Sequence, residues 1–299
     1  ALGKDASFYP SQRVLATTYF RLGRLAEAQY HMEAVLRKDP LSLRSNNDLV
    51  NVYAARGMWD KVFPLIEENL QHSDDLDHWK IRSAQAKYLQ TGDRNALIAA
   101  IGAIPSFRNE NGKKTWEALV RRDYSESLRQ LKLRDADIRF RFLDLRLPRN
   151  MSMSIRNSYL LAALVHFELK EKMNWTAESE KAKASLQPIT QVDPMADPDY
   201  SSNLAICYAL EGDRERMEAT IQAVREKTNT EIFRFSLQAA CEMHIAIAYL
   251  VLGENDKAIE TLEAASKMDG ILFLNRELDL WFIFDRLRGN PRFDKLLED

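Results

Sequence analysis

Histidine and cysteine are the side chains here with the clearest capacity for metal binding or nucleophilic catalysis. The five histidines show no His-Glu-x-x-His spacing, which would place two zinc ligands on one helix face. Cys241 and His244 stand one helical turn apart, but they lie in an apolar helical pattern, whereas a reactive thiol needs an exposed, electropositive setting. The glycines are isolated, so the sequence has no phosphate-binding loop. We predict no catalytic residue, no metal ligand and no cofactor, and therefore no enzyme activity.

The bulk composition narrows the remaining classes of function. Lys plus Arg number 42 and Asp plus Glu number 44, and this balance argues against a nucleic-acid-binding protein. No apolar run approaches the roughly 18 residues that indicate a membrane span. Cys207 and Cys241 both fall in apolar helical patterns, which predicts two buried, reduced thiols and a cytoplasmic location.

A pattern of small residue, tyrosine and glycine recurs with a period near 34 residues. Tyr53 and Gly57 follow Tyr19 and Gly23 at that interval, and the next copy comes one residue later than the period predicts. Such self-similarity is typical of repeat architectures. The further Tyr and Gly pairs are Tyr88 and Gly92, Tyr208 and Gly212, and Tyr249 and Gly253.

Each position of the pattern has a structural reason. Apolar residues spaced three and four apart, such as Leu15, Tyr19 and Leu22, form one face of a helix. The glycine ends that helix because it readily adopts a left-handed conformation. At 92–93, 212–213 and 253–254 an acidic residue follows the glycine, and its charge favours the start of the next helix. Small residues such as Ala28 let the two helices approach closely. The sequence therefore predicts pairs of antiparallel helices.

This pattern resembles that of tetratricopeptide-repeat proteins. The resemblance implies an all-α fold, a right-handed superhelix of about six or seven helix pairs, formed by residues 1–299 as a single solenoid with an irregular centre. The clearest repeats are 9–42, 43–74, 78–104, 198–231 and 239–270, the divergent helical region is 105–195, and the C-terminal cap is 271–299.

The divergent region departs from the pattern in three places. Arg122 and Asp123 stand where the turn glycine is expected, between two helices. The stretch from Ile138 to Phe142 alternates like a strand, but its helical neighbours favour a helix. Residues 188–198 contain three prolines and are predicted to be a loop.

The C-terminal phrase resembles the ending of bacterial tetratricopeptide segments that follow nucleotide cyclase, serine/threonine kinase or winged-helix activator domains. The resemblance implies a second interpretation of the chain, as a regulatory, ligand-sensing or oligomerisation segment of a larger bacterial signalling protein. The residues that carry it are Phe284, Arg288, Gly289, Pro291, Arg292, Phe293 and Leu296.

The resemblance also implies a concave groove lined by the first helix of each repeat. Its arginines could bind carboxylates through paired hydrogen bonds, its asparagines could hold a peptide backbone, and its aromatic residues could anchor apolar side chains. Thr17 replaces an expected asparagine, and Asp48 adds a negative charge, so the groove departs from a strict carboxylate clamp. The predicted peptide-binding residues are Arg13, Thr17, Phe20, Arg21, Arg44, Asn47, Asn51, Trp79 and Arg82.

We therefore predict a non-catalytic scaffold that binds a protein or peptide in this groove. The partner is expected to carry acidic groups or a C-terminal carboxylate. Formation of a homo-oligomer is a further possibility that the sequence leaves open. No nucleic acid and no membrane are expected as partners.

Overall fold

The two compact units of the chain are built almost entirely from helices. The computed structural model describes residues 9–103, 110–132, 140–141, 154–155, 157–192, 198–229, 238–268 and 274–298. Within these ranges, unit 1 comprises residues 9–103, and unit 2 comprises the described residues from 110 to 298.

Unit 1 contains three helix hairpins in which each helix packs against the next one along the chain. Its helices are α1 (Tyr9–Arg21), α2 (Leu25–Leu36), α3 (Leu43–Ala55), α4 (Trp59–His72), α5 (Leu76–Thr91) and α6 (Arg94–Gly102).

Unit 2 contains four further hairpins and a C-terminal segment with a short 3-10 helix. Its α-helices are α7 (Glu110–Val120), α8 (Tyr124–Leu131), α9 (Ser158–Glu168), α10 (Lys172–Val192), α11 (Pro198–Glu211), α12 (Arg214–Thr228), α13 (Gln238–Val251), α14 (Asn255–Ser266), α15 (Leu274–Leu280) and α16 (Pro291–Glu298), and the 3-10 helix is Phe282–Leu287.

Most of the hairpins share one type of turn. Gly23 has a φ of 71°, and the next residue donates its backbone N–H to the carbonyl of Tyr19 at 2.9 Å, which satisfies an otherwise orphaned helix-end carbonyl. The same arrangement recurs at Arg122, whose φ is 63°, with the next N–H 2.8 Å from the Ala118 carbonyl. The predicted turn at Arg122 is thus present without a glycine, and Lys170, with a φ of 60°, provides a second such turn.

Acidic residues cap several of the second helices. The carboxylates of Asp93, Asp123 and Asp213 each accept a hydrogen bond from the backbone N–H three residues later, at 2.9–3.0 Å. Each cap satisfies one of the free N–H groups at a helix start, so Asp93 and Asp213 begin the second helices as predicted.

Tyrosines at the equivalent position of the first helices connect neighbouring repeats. The Tyr53 hydroxyl donates to Glu33 on α2 at 2.9 Å, and the Tyr249 hydroxyl donates to Glu218 on α12 at 3.1 Å. Burial, together with the hydrogen bond to Glu33, raises the pKa of the Tyr53 phenol well above its usual range. The tyrosine of the repeat pattern therefore forms a hydrogen bond between repeats in addition to its apolar packing.

The divergent region corrects two sequence predictions. Phe140 and Arg141 form strand β1 (Phe140–Arg141), which pairs antiparallel with β2 (Ser154–Ile155), so the helix favoured for 138–142 is wrong at these two residues. Pro188 lies inside α10, which continues to Val192, so the predicted loop begins later than its first proline. At 140–141 the local alternation was a better guide than the helical neighbours, whereas at Pro188 the helix continues through a residue that usually ends one.

Candidate partner-binding site

The predicted binding residues all lie on the first helices of the three hairpins of unit 1. Helix α1 carries four of them, α3 carries three and α5 carries two. The repeat spacing places them on the first helices of successive hairpins, and α1 contacts α3 directly. Their exposure and their hydrogen bonds divide them into a buried set and a more accessible set.

The buried set connects α3 to α5. His78 lies with Nε2 2.8 Å from Asn47 Oδ1, and Arg82 donates a hydrogen bond through Nη2 to Asn51 Oδ1. Each of these two pairs spans 31 residues, and together they form two rungs one helical turn apart. Trp79 is also fully buried beside them. These side chains hold neighbouring repeats in register inside unit 1.

His78 belongs to this arrangement although sequence reasoning did not select it. A signal for it exists in the spacing. Asn47 and Asn51 are four residues apart on α3, and His78 and Arg82 are four residues apart on α5. Matched polar pairs on adjacent repeats can meet because residues four apart share a helix face.

The accessible set consists of Arg13, Thr17 and Arg44. Arg44 is exposed, while Arg13 and Thr17 are partly buried. The Thr17 hydroxyl donates to the Arg13 carbonyl on its own helix at 2.9 Å, so it has a local partner. Among the described residues, neither Arg13 nor Arg44 forms an ion pair. Phe20 is buried, and the side chain of Arg21 lies outside the described part of the chain.

Exposed apolar side chains accompany these arginines in unit 1. Val14 lies on α1, Leu22 directly follows that helix, Leu41 lies two residues before α3, and Tyr30 lies on α2. In the described part of unit 2, the exposed large apolar side chains are Leu169 and Met173. Among the described residues, unit 1 therefore exposes more large apolar side chains than unit 2, and it exposes them together with the positive charge of its arginines.

The inner positions of the C-terminal repeats are core residues instead. Ile206, Met243 and Ile247 are all almost completely inaccessible to solvent. Cys207 and Cys241 are free, buried thiols, and burial raises the pKa of Cys207 to about 12.

A buried polar cluster lies between α11 and α13. The Ser202 hydroxyl is 2.8 Å from His244 Nδ1, and the carboxylate of Asp199 lies 3.6 Å from the same nitrogen. Ser202 and His244 are fully buried, and Asp199 is only 2% exposed. Because these side chains are buried, a substrate would have no access to the cluster. The geometry of the cluster therefore suits helix packing.

Two further properties concern the described ranges alone. No group of three or more His, Cys, Asp or Glu residues among them is arranged to hold a metal ion. None of their helices combines the length and the apolarity needed to cross a membrane.

Comparison with known proteins gives structural matches only. The sequence matches no protein-family model and no curated protein. The Cut9–Hcn1 hetero-tetramer of the APC/C matches with a TM-score of 0.50 at 12% identity, covering 99% of this chain and 56% of that chain. A tetratricopeptide repeat protein from Parabacteroides merdae matches at 13% identity over 97% of both chains, with a TM-score of 0.45. The repeated hairpins, together with the Cut9–Hcn1 match, show that the chain has an all-α fold of repeated helix hairpins, as the tetratricopeptide resemblance implied.

Proposed function

We propose that the chain is a non-catalytic scaffold that binds a protein partner through the accessible residues of unit 1. The observation that carries this proposal is the pair Arg13 and Arg44, on two contacting helices, without an ion pair among the described residues. A guanidinium group can bind a carboxylate through two parallel hydrogen bonds, which favours an acidic partner.

The buried rungs support the site by holding its helices in place. Asn47 with His78, and Asn51 with Arg82, fix α3 relative to α5. A surface whose helices are already ordered loses less conformational freedom when a partner binds. In this proposal, the partner contacts Arg13, Thr17 and Arg44, while the deeper predicted residues act through the shape of unit 1.

Exposed apolar groups supply the second component of the proposed surface. Val14 follows Arg13 directly, and Leu41 lies three residues before Arg44. Protein interfaces commonly combine apolar anchors with arginine. The fold is compatible with such a role, since the Cut9–Hcn1 structure is an assembly of two different proteins.

The test is affinity capture from a lysate of the source organism, followed by mass spectrometry. The double variant Arg13→Glu with Arg44→Glu is compared with the wild type. The matched control, Arg37→Glu with Arg121→Glu, changes the net charge equally at exposed arginines elsewhere. Arg82 is left unchanged because a buried carboxylate there would disrupt folding.

We expect the wild type and the control to retain an acidic partner that the double variant loses. Retention should also weaken as salt rises, because exposed charges are screened. Equal retention of the partner by all three proteins would mean that the partner does not bind at Arg13 and Arg44. Absence of any specific partner from all three would contradict the scaffold proposal itself.

A further inference from the structure

The turn between α7 and α8 has an arginine where most hairpins of this chain have a glycine. Arg122 adopts a φ of 63°, a conformation that residues other than glycine seldom adopt. Lys170, in the turn between α9 and α10, is the other non-glycine residue with a positive φ in the described ranges. An unfavourable backbone conformation at Arg122 calls for a compensating role of its side chain.

The Arg122 side chain holds a segment about 160 residues away in the sequence. Its Nε donates to Asp285 Oδ2 at 2.6 Å, and its Nη2 donates to Asp285 Oδ1 at 3.0 Å. The same guanidinium donates to the backbone carbonyl of Leu280 at 3.0 Å and to that of Asp279 at 3.1 Å. Glycine would form the turn more easily but could make none of these four bonds.

We call residues 279–288 the C-terminal strap. Beyond Arg122, Arg286 of the strap donates to Glu168 at the end of α9, at 2.6 Å, and lies 4.3 Å from the ring centre of Phe167. Phe282 of the strap meets the Tyr124 ring edge-on, with 5.6 Å between ring centres. The strap therefore contacts two consecutive hairpins, α7/α8 and α9/α10.

The strap is also attached to the last hairpin. It leads into α16, where Arg292 forms a two-bond contact with Glu263 on α14, at 2.9 and 2.6 Å. Arg288 stiffens the strap internally by bonding both Asp279 and Asp285. The strap's own Trp281, Phe282 and Phe284 are fully buried. The strap thus connects the first two hairpins of unit 2 to its last.

We propose that Arg122 fastens this strap and thereby closes unit 2, so that the first and last hairpins of the unit open together. In a row of repeats, each unit contacts only its neighbours, and terminal hairpins can open independently. A strap across the row adds a non-local connection. The presence of arginine instead of glycine at position 122 is then explained by the need for a guanidinium group.

The test compares Arg122→Gly with Lys170→Gly in the full chain by hydrogen–deuterium exchange with mass spectrometry. Both changes relieve a left-handed backbone, but only the first removes contacts to the strap. We expect Arg122→Gly to accelerate amide exchange in residues 279–288 and in α8 at least about tenfold, since bonds to a charged group are lost. Lys170→Gly should leave exchange in the strap unchanged.

The proposal fails if the two variants exchange equally in the strap, or if the acceleration is confined to the turn around Arg122. Arg122→Lys covers the case in which Arg122→Gly does not fold. It keeps the positive charge but cannot make the two-bond contact, so it should still accelerate exchange in the strap and in α8 together. Normal exchange in Arg122→Lys would equally overturn the proposal. Neither variant alters unit 1, so the result is independent of partner binding.

Discussion

Replacing Arg225 by methionine should destabilise unit 2 measurably, because it removes the ionic partner of a buried carboxylate. Arg225 on α12 donates through Nε and Nη2 to the two oxygens of Glu242 on α13, at 2.9 and 2.7 Å. The Glu242 side chain is only 5% exposed, whereas that of Arg225 is 43% exposed. Methionine keeps much of the length of the side chain and removes both hydrogen bonds.

The expected loss follows from these exposures. Breaking a fully buried ion pair by removing one partner costs roughly 3–5 kcal/mol. Water reaches the Arg225 end of this pair, so we reduce the expected loss to about 1–3 kcal/mol. For a unit of this size, each kcal/mol lowers the unfolding temperature by about 2–4 °C.

Scanning calorimetry of the full chain would measure the change. Arg216→Met is the matched control, since Arg216 lies on the same helix and pairs with Asp213 at an exposed position. It should cost less than about 1 kcal/mol. Adding Glu242→Gln to Arg225→Met should recover part of the loss, because the uncompensated charge is gone. Equal losses from Arg225→Met and Arg216→Met would refute the reasoning from burial.

Two further predictions concern unit 1. The free energy of unfolding should fall as the pH rises above about 10. Unfolded tyrosines ionise there, while the raised pKa keeps Tyr53 protonated in the folded state. In urea denaturation at pH 8 to 11, Tyr53→Phe should therefore make this fall less steep. A slope unchanged by Tyr53→Phe would assign the fall to other groups. Ala28→Leu should cost roughly 1–3 kcal/mol in the same assay because Ala28 has no exposed surface between its helices, and a neutral result would mean that the contact can expand.

The sequence predicted the helices and turns well because these depend on local patterns. The spacing of Tyr19 and Gly23 located the hairpins, and Asp213 identified a helix start. At Arg122 the sequence predicted a turn, but it could not indicate that the side chain reaches Asp285. That contact depends on how distant segments meet, which a repeat pattern does not encode.

The candidate site was predicted only in part for a related reason. Repeat positions identify which face of a helix points inward, but they do not give the depth of each side chain. Asn51 and Arg82 were selected as partner-binding residues, and the structure pairs them with each other in the interior. Arg44, selected by the same rule, is exposed. Burial by neighbouring helices, not residue type, decides which of the selected residues a partner can reach.

The placement of the two cysteines makes this chain its own reporter of local opening. Cys207 and Cys241 lie on α11 and α13, both within unit 2, and the chain has no other cysteine. Because the Cys207 thiol is buried and has a raised pKa, thiol reagents can modify it only when unit 2 opens. Pulsed alkylation would therefore measure the rate at which unit 2 opens, while unit 1, which has no cysteine, does not react. A cysteine introduced on the surface of unit 1 could carry a dye without either native cysteine being replaced.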